Sequence, residues 1–385
     1  MIDTSSQADP RRPGPGRGQP VGRGGGSDSR RDRPGRRPGG RIIAGVALIA
    51  IVPIAWFGWR EWDPPVLVEA AAALRRGDLE SARRKAAAHL ASRPFSRAGA
   101  LIAARSLAGL GRVEEAESHY RRAGRLDDDV LHQRALALVR ARLNKPAIEV
   151  YEEILARSPG DVVALRRMAV SQILLSRWDD ALATAGQLAR TPGGAVIGHT
   201  LAGVVYHDTD RPDASVPEFE RVLALDPDLL QMPLDPKAQF WVYLSQDLLR
   251  LGRGADARPY LARALDRGED AYLLDMLGTS YWQEGEIEDA ERRWLRSIEL
   301  NPRRPHPWLM LGNLELQRNR LEPAVERLGR AAALAPTARE PFYGLSLACG
   351  RLGRRDEADR YRAIAERLRA EIQAPPRVMG ESKSR

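Results

Sequence analysis

Two segments that lie 34 residues apart decide the fold: "IEDAERRWLRSIELNP" (residues 287–302) and "LEPAVERLGRAAALAP" (residues 321–336). Few side chains match between them, yet each carries apolar residues at three- and four-residue steps and ends at a proline. Apolar residues at those steps predict an amphipathic helix. Because proline cannot continue a helix, each segment predicts a helix that ends just before its proline.

A small residue recurs along the chain at a nearly constant interval. Successive positions are separated by 34, 31, 34, 34, 42, 33, 34 and 34 residues. A period of this length is typical of stacked helical units, each too small to bury its apolar face alone. The period predicts nine units, whose small residues are Ala82, Ala116, Ala147, Ala181, Ser215, Ala257, Ala290, Ala324 and Ala358. The step of 42 contains an eight-residue insertion at 230–237, and the step of 31 predicts a shortened loop.

The units resemble the tetratricopeptide repeat, and residues 271–304 match it best. There the family's large, small, aromatic and proline places hold Leu274, Leu277, Gly278, Tyr281, Gly285, Ala290, Trp294, Ser297 and Pro302. The next unit, 305–338, departs from the pattern at Glu315, which takes the aromatic place. The resemblance implies an all-α, right-handed superhelical solenoid of about nine helix pairs over residues 63–373. The composition agrees, since helix formers dominate and aromatic residues make up only 6%.

The two ends of the chain have a different composition from the repeats. Residues 1–41 contain ten Arg and four Asp among many Gly and Pro, a net charge of +6, whereas the rest of the chain carries only +3. Such a segment has too little apolar surface to offset the entropy of ordering it, so we predict that it is disordered. We predict the same for the C-terminal tail, residues 374–385.

An uncharged apolar segment, "IIAGVALIAIVPIAWFGW" (residues 42–59), separates the tail from the repeats. Its length lies at the short end of what spans a bilayer, and its aromatic residues cluster where an interfacial belt would lie. We therefore predict an uncleaved transmembrane signal-anchor. A cleaved secretory signal and a buried soluble helix are the alternatives. Against a cleaved signal, the region before the segment is long and no small-x-small site follows it.

The flanks of this segment predict its orientation. The twenty residues before it (22–41) contain seven Arg, whereas the twenty after it (60–79) contain three Arg beside four acidic residues. Because the side richer in Arg and Lys stays in the cytoplasm, we predict a single-pass inner-membrane protein with a cytoplasmic N-terminus. The repeats would then lie outside the cytoplasm, in the periplasm of a bacterial cell.

The sequence contains no catalytic signature. It lacks GxSxG, the phosphate-binding GxxxxGK[ST], and a GxGxxG placed between a strand and a helix. The six histidines are scattered without metal-ligand spacing, and the single cysteine, Cys349, excludes an intramolecular disulfide and any multi-cysteine metal site. We expect no enzymatic activity, no cofactor and no metal. Cys349 falls at an aromatic place of the last unit, where a buried, inert thiol is the favoured interpretation over a nucleophile.

The family resemblance also implies a binding surface, because the first helices of such arrays line a concave groove that holds peptides or partner segments. Carried onto this chain, the groove-facing places are Gln239, Val242, Gln246, Tyr272, Asp275, Thr279, Trp282, Gln283, His306, Leu309, Asn313, Leu316, Gln317 and Tyr343. Amides such as Gln283, Asn313 and Gln317 can pair with a peptide backbone, and the Trp282 indole can anchor a side chain. The alternative is that these positions are polar only because they face water.

Two further features of the groove concern its ligand. The Lys-and-Asn set with which chaperone-binding members of the family hold a C-terminal carboxylate is missing, so we do not expect that ligand class. Earlier units place Val163, Val170 and Ile173 at groove positions, which favours an apolar segment or a second copy of the chain there.

Together these features predict a membrane-tethered scaffold or assembly factor that binds protein or peptide partners in its groove. One alternative keeps the anchor but turns the repeats toward the cytoplasm, as a recruiting platform. Another is binding of nucleic acid or anionic lipid by the basic tail. No aromatic residue interleaves the Arg residues of the tail, which favours lipid contact over nucleic acid.

Overall fold

The computed structural model describes residues 65–232, 237–266 and 268–373. Within these ranges all regular secondary structure is helical, which confirms the all-α prediction. None of the described helices is long and apolar enough to cross a bilayer. The predicted N-terminal tail, the apolar segment 42–59 and the C-terminal tail 374–385 lie outside the described residues.

Eighteen helices follow one another in the described residues, and we number them in chain order. They are α1 (Pro65–Arg75), α2 (Leu79–Ser92), α3 (Arg97–Gly109), α4 (Val113–Ala123), α5 (Asp128–Arg140), α6 (Asn144–Arg157), α7 (Val162–Leu174), α8 (Trp178–Arg190), α9 (Ala195–Asp208), α10 (Pro212–Leu225), α11 (Ala238–Arg250), α12 (Gly254–Leu265), α13 (Ala271–Gln283), α14 (Ile287–Leu300), α15 (Pro305–Gln317), α16 (Leu321–Leu334), α17 (Arg339–Arg351) and α18 (Arg355–Gln373).

The helices form an array of pairs. Each odd-numbered helix packs against the even-numbered helix that follows it, and each pair packs against the next. Most odd-numbered helices also contact the odd-numbered helix of the next pair, for example α9 with α11 and α11 with α13, whereas even-numbered helices of the described array have no comparable contacts. The odd-numbered helices therefore share one face of the array, which we call the first-helix face.

The repeating small and large residues form the contact inside each pair. All nine predicted small residues lie on even-numbered helices and are buried. A Cβ atom placed on Gly278 would lie 2.5 Å from Nε1 of Trp294, and one on Gly203 would lie 2.6 Å from Cε1 of Phe219. Both aromatic side chains are fully buried. The two helix backbones of these pairs therefore approach so closely that only glycine fits opposite the ring.

The step of 31 residues has a different cause from the one predicted. Helix α4 has 11 residues, whereas α2 and α6 have 14. The loop after α4, residues 124–127, matches the loop after α2, residues 93–96, in length. The predicted short loop is wrong, because Gly124 takes a positive φ of 72° and ends the helix about one turn early.

The first residues of the insertion at 230–237 are held by a buried carboxylate that precedes it in the chain. Asp226 accepts hydrogen bonds from the backbone N–H groups of Leu230, at 2.9 Å, and Gln231, at 2.7 Å. Leu229 and Met232 are buried in the neighbouring apolar cluster, while Leu230 is 77% exposed. The first part of the insertion is therefore anchored on the array; residues 233–236 lie outside the described residues.

Glu315, which departs from the repeat pattern, is buried in an ion cluster. Its carboxylate pairs with Arg320 and with Arg327, whose Nη1 lies 2.8 Å from Oε1. A buried carboxylate is tolerated when cations compensate its charge. Two guanidinium groups thus compensate the charge of this buried carboxylate.

Replacing Gly278 with Ala tests the close approach inside a pair. The added methyl group would overlap the Trp294 ring, so we expect the free energy of unfolding to fall by about 1–3 kcal/mol. Gly329→Ala is the matched control, because Gly329 also lies within a helix but a Cβ there meets no atom within 4 Å. That control should gain about 0.5–1 kcal/mol from helix propensity. Urea denaturation measures both, and equal effects of the two substitutions would contradict the packing argument.

Candidate functional site

A pocket of about 490 Å³ lies on the first-helix face where α11, α13 and the start of α15 meet. Five of the predicted groove residues line it: Gln246, Tyr272, Asp275, Thr279 and His306. Leu249, Arg250, Met276 and Arg304 complete the lining. We call this site the α13 pocket. The structure therefore brings together residues that are up to 60 positions apart in the sequence.

Asp275 lies at the centre of this lining and is only 3% exposed. His306 Nδ1 lies 2.7 Å from Asp275 Oδ1, and Arg304 Nη2 donates a hydrogen bond of 2.9 Å to Oδ2. The carboxylate thus joins α13 to the start of α15. Since both of its oxygens are occupied, Asp275 shapes the pocket wall and its charge is compensated within the protein.

Tyr272 connects the same pocket to α11. Gln246 Nε2 donates a hydrogen bond to the Tyr272 hydroxyl, and the Arg304 guanidinium lies 4.7 Å from the centre of the Tyr272 ring. Burial raises the pKa of Tyr272, although the nearby Arg304 opposes this shift, so the phenol stays protonated at neutral pH. Arg304 Nε is buried and has no hydrogen-bond partner within the described chain. The wall therefore keeps one unsatisfied donor.

The exposed aromatic residues of the predicted set lie along the same face. Trp282, near the end of α13, is 41% exposed and follows Asp275 by seven positions, which places both on one side of the helix. Tyr343 on α17 is 48% exposed, with the Arg339 guanidinium 5.2 Å from its ring centre. Gln317 is exposed and Asn313 is half-buried. These side chains extend the surface beyond the α13 pocket.

Other predicted groove residues contact the protein itself. Gln283 Nε2 donates a hydrogen bond of 2.8 Å to the carbonyl oxygen of Leu249 and so links the ends of α13 and α11. Leu309 and Leu316 pack into the apolar cluster around Leu328, and Val242 packs into the cluster below α11. Gln239, at the start of α11, is half-buried. Only part of the predicted groove set is therefore available on the surface.

The apolar stripe predicted in the earlier units is narrower than the sequence indicates. Val163 and Val170 on α7 are 48% and 36% exposed. Ile173 instead packs partly buried against the cluster that contains Leu165 and Leu201. Of the predicted stripe, Val163 and Val170 therefore remain exposed, seven residues or about two helical turns apart.

Arg304 is the main lining residue that the groove pattern misses. It lies in the loop before α15 and precedes Pro305, outside the helical positions that the pattern numbers. The sequence does contain a signal for Arg304. A basic residue at the start of a helix is repelled by the positive end of the helix dipole, so a nearby carboxylate is expected to compensate its charge. Asp275 supplies that carboxylate from another unit, which sequence spacing alone does not reveal.

The described residues show no group of His, Cys, Asp or Glu arranged to hold a metal ion. Cys349 is fully buried. Burial raises the pKa of its thiol, and the nearby Glu357 adds to the shift. Since the thiolate is the reactive form, this cysteine is poorly suited to nucleophilic chemistry.

Sequence comparison identifies two regions of the chain as similar to known repeats. Two profiles, each described as "Tetratricopeptide repeat", match residues 276–341 and 198–229. No curated protein matches the chain.

Several solved structures resemble the chain at low identity. A structure described as "YrrB: a TPR protein with an unusual peptide-binding site" is 19% identical, with a TM-score of 0.43 over 50% of this chain and 96% of its own. A tetratricopeptide repeat protein from Parabacteroides merdae is 16% identical, with a TM-score of 0.41 over 61% and 92%. The crystal structure of MamA is 20% identical, with a TM-score of 0.36 over 44% and 95%.

Removing the Asp275 carboxylate tests its role in the pocket wall. Asp275→Ala leaves Arg304 and His306 without their shared partner, so we expect a loss of about 1–3 kcal/mol in the free energy of unfolding. Asp359→Ala removes a carboxylate that is 71% exposed and pairs with Arg362; it should change stability by less than about 0.5 kcal/mol. Urea denaturation at neutral pH measures both variants. Equal small losses would show that Asp275 does not hold α13 against α15.

Proposed function

Because the chain is a tetratricopeptide repeat protein, we propose that it is a membrane-tethered scaffold whose first-helix face binds segments of partner proteins. Proteins with such repeats typically bind peptide segments and are typically non-enzymatic. The observation that carries the proposal is the α13 pocket, where three successive units contribute side chains to one cavity. A segment lying along the face would contact the pocket and the neighbouring helices together.

The chemistry of this surface suits a peptide. Arg304 offers a buried donor without a partner, and Thr279 and Gln246 add polar groups at the pocket wall. Leu249 and Met276 add apolar surface. Trp282 and Tyr343 are large, exposed aromatic residues of the kind that dominate the energetics of protein interfaces. We propose that the pocket holds one side chain of the partner while these aromatic residues anchor the flanking chain.

The tether is proposed from the sequence alone. The uncharged segment 42–59 supports a single membrane span, and the seven Arg before it support a cytoplasmic N-terminus. The array would then lie outside the cytoplasm and bind envelope proteins. The basic tail would contact anionic lipid on the cytoplasmic side.

Site-specific photo-crosslinking tests the binding face in living cells. A photoreactive phenylalanine analogue at Trp282 should crosslink to partner protein, because this position faces the proposed segment. The matched control is the same analogue at Leu295, which is equally exposed, at 41%, but lies on the even-numbered helix α14. Crosslinks at position 282 but not at 295 are expected. Crosslinks of equal yield at both positions, or at neither, would contradict binding on the first-helix face.

Protease accessibility of a C-terminal tag tests the orientation. In spheroplasts with intact membranes, we expect added protease to remove the tag, because the array would lie outside the cytoplasm. A cytoplasmic protein measured in the same sample must stay intact as the control for leakage. A tag that is protected until the cells are lysed would refute this orientation and favour a recruiting platform that faces the cytoplasm.

A further inference from the structure

A second pocket lies on the first-helix face, far from the α13 pocket in the sequence. It has a volume of about 180 Å³ and lies between α3 and α5, with Tyr120 of α4 in its lining. Its polar side chains are Arg105, Tyr120, Gln133 and Arg140. The predicted groove set contains none of these residues, and nothing in the proposed function accounts for them.

Two buried donors in this pocket have no partner. Tyr120 is only 2% exposed, and its hydroxyl oxygen makes no hydrogen bond within the described chain. Arg105 Nε is also buried and unpartnered. Buried polar groups are almost always hydrogen-bonded, since a buried donor or acceptor without a partner costs free energy. An acceptor that enters the pocket would satisfy both groups.

The charge of the pocket selects the kind of acceptor. Neither Arg105 nor Arg140 belongs to an ion pair within the described residues, and no carboxylate lines the pocket. The neighbouring Arg134 differs, because its guanidinium makes two hydrogen bonds to Glu117. The pocket thus has two uncompensated positive charges, which favour an anion over a neutral carbonyl.

The tyrosine is held in its donating form. Burial raises the pKa of Tyr120 to about 12, with Arg105 acting in the opposite direction. The hydroxyl therefore stays protonated at neutral pH and can donate a hydrogen bond to an acceptor. The pocket volume of about 180 Å³ is several times the roughly 30 Å³ that one water molecule occupies in the liquid. The pocket therefore accommodates a carboxylate or phosphate group.

We infer that this pocket binds an oxyanion, a carboxylate or a phosphate monoester, on a side chain of the partner segment. Arg105 and Arg140 would supply the charge, and Tyr120 would supply a directed hydrogen bond from the floor. The inference rests on the proposed function in one respect, namely that a partner segment lies along the first-helix face. It adds a chemical requirement that the α13 pocket does not impose.

Peptide binding to the purified full-length protein tests the inference. The probes are short fluorescein-labelled peptides in which Ser alternates with Glu, with phosphoserine or with Gln. Fluorescence anisotropy is measured at about 0.15 M salt, where exposed charges more than about 8 Å apart are largely screened. We expect the Glu peptide, the phosphoserine peptide or both to bind, and the Gln peptide to bind at least about tenfold more weakly. The stronger of the two acidic peptides identifies the oxyanion.

Three variants locate the binding. Arg105→Ala should weaken the acidic peptide about tenfold, since it removes a charge-assisted bond. Arg122→Ala is the matched control: it removes one exposed positive charge from the same unit, outside the pocket, and should change affinity by less than about twofold. Equal losses in the two variants, or equal binding of Glu and Gln peptides to the unsubstituted protein, would refute the site.

Tyr120→Phe separates a binding role from a structural one. The ring remains in the core, and the substitution removes only a hydroxyl that has no partner in the free protein. We therefore expect a urea midpoint equal to or above that of the unsubstituted protein, together with about threefold weaker binding of the acidic peptide. A lower midpoint with unchanged binding would show a purely structural tyrosine and overturn the inference.

The acidic-peptide and crosslinking experiments together separate this inference from the proposed function. If acidic peptides depend on Arg105 and crosslinking at position 282 fails, the oxyanion site stands and the proposed partner face fails. If crosslinking succeeds and Arg105→Ala has no effect on acidic peptides, the reverse holds.

Discussion

A close contact between a small residue on one helix and a large residue on the next sets the spacing of the pairs α9–α10 and α13–α14. At Gly278 the backbone approaches the Trp294 ring so closely that a methyl group does not fit, and Gly203 meets Phe219 in the same way. A helix pair built on this contact buries its large side chain fully but leaves an apolar flank open. The next pair must cover that flank, because no pair encloses a core alone. Stacking of neighbours is therefore a direct consequence of the contact.

The same packing decides where function can lie. Large apolar side chains point into and between the pairs, so the outward positions of the odd-numbered helices are not needed for the core. Both pockets with unpartnered donors lie on this side, between the odd-numbered helices of successive units. The short contacts between these helices bring together residues from different repeats, such as Gln246 and Tyr272. The proposed binding site on this face would thus be assembled by the stacking itself.

The sequence predicts the fold well because one period encodes it, whereas the site depends on contacts between units. The period of 34 residues and the closing prolines were sufficient to predict the all-α array of helix pairs, but they misplaced the cause of the shorter step, which lies in the early end of α4. Five residues of the predicted groove set line one pocket. The pattern could not show that Gln283 bonds to Leu249, or that Arg304 and His306 share Asp275, since each contact joins different units.

The two pockets differ in how their positive charges are balanced, and this difference is the physical basis for assigning them different ligands. In the α13 pocket the charge of Arg304 is offset by a buried carboxylate, so we expect this pocket to select its ligand mainly by shape and aromatic contact. In the pocket of Arg105 and Arg140 no described carboxylate takes that place. Because an uncompensated, partly buried cation and a buried hydroxyl without a partner both raise the energy of the free protein, a ligand oxyanion gains affinity from satisfying them. An array that combines both pockets would recognise a partner by an acidic group at one end and an anchored side chain at the other.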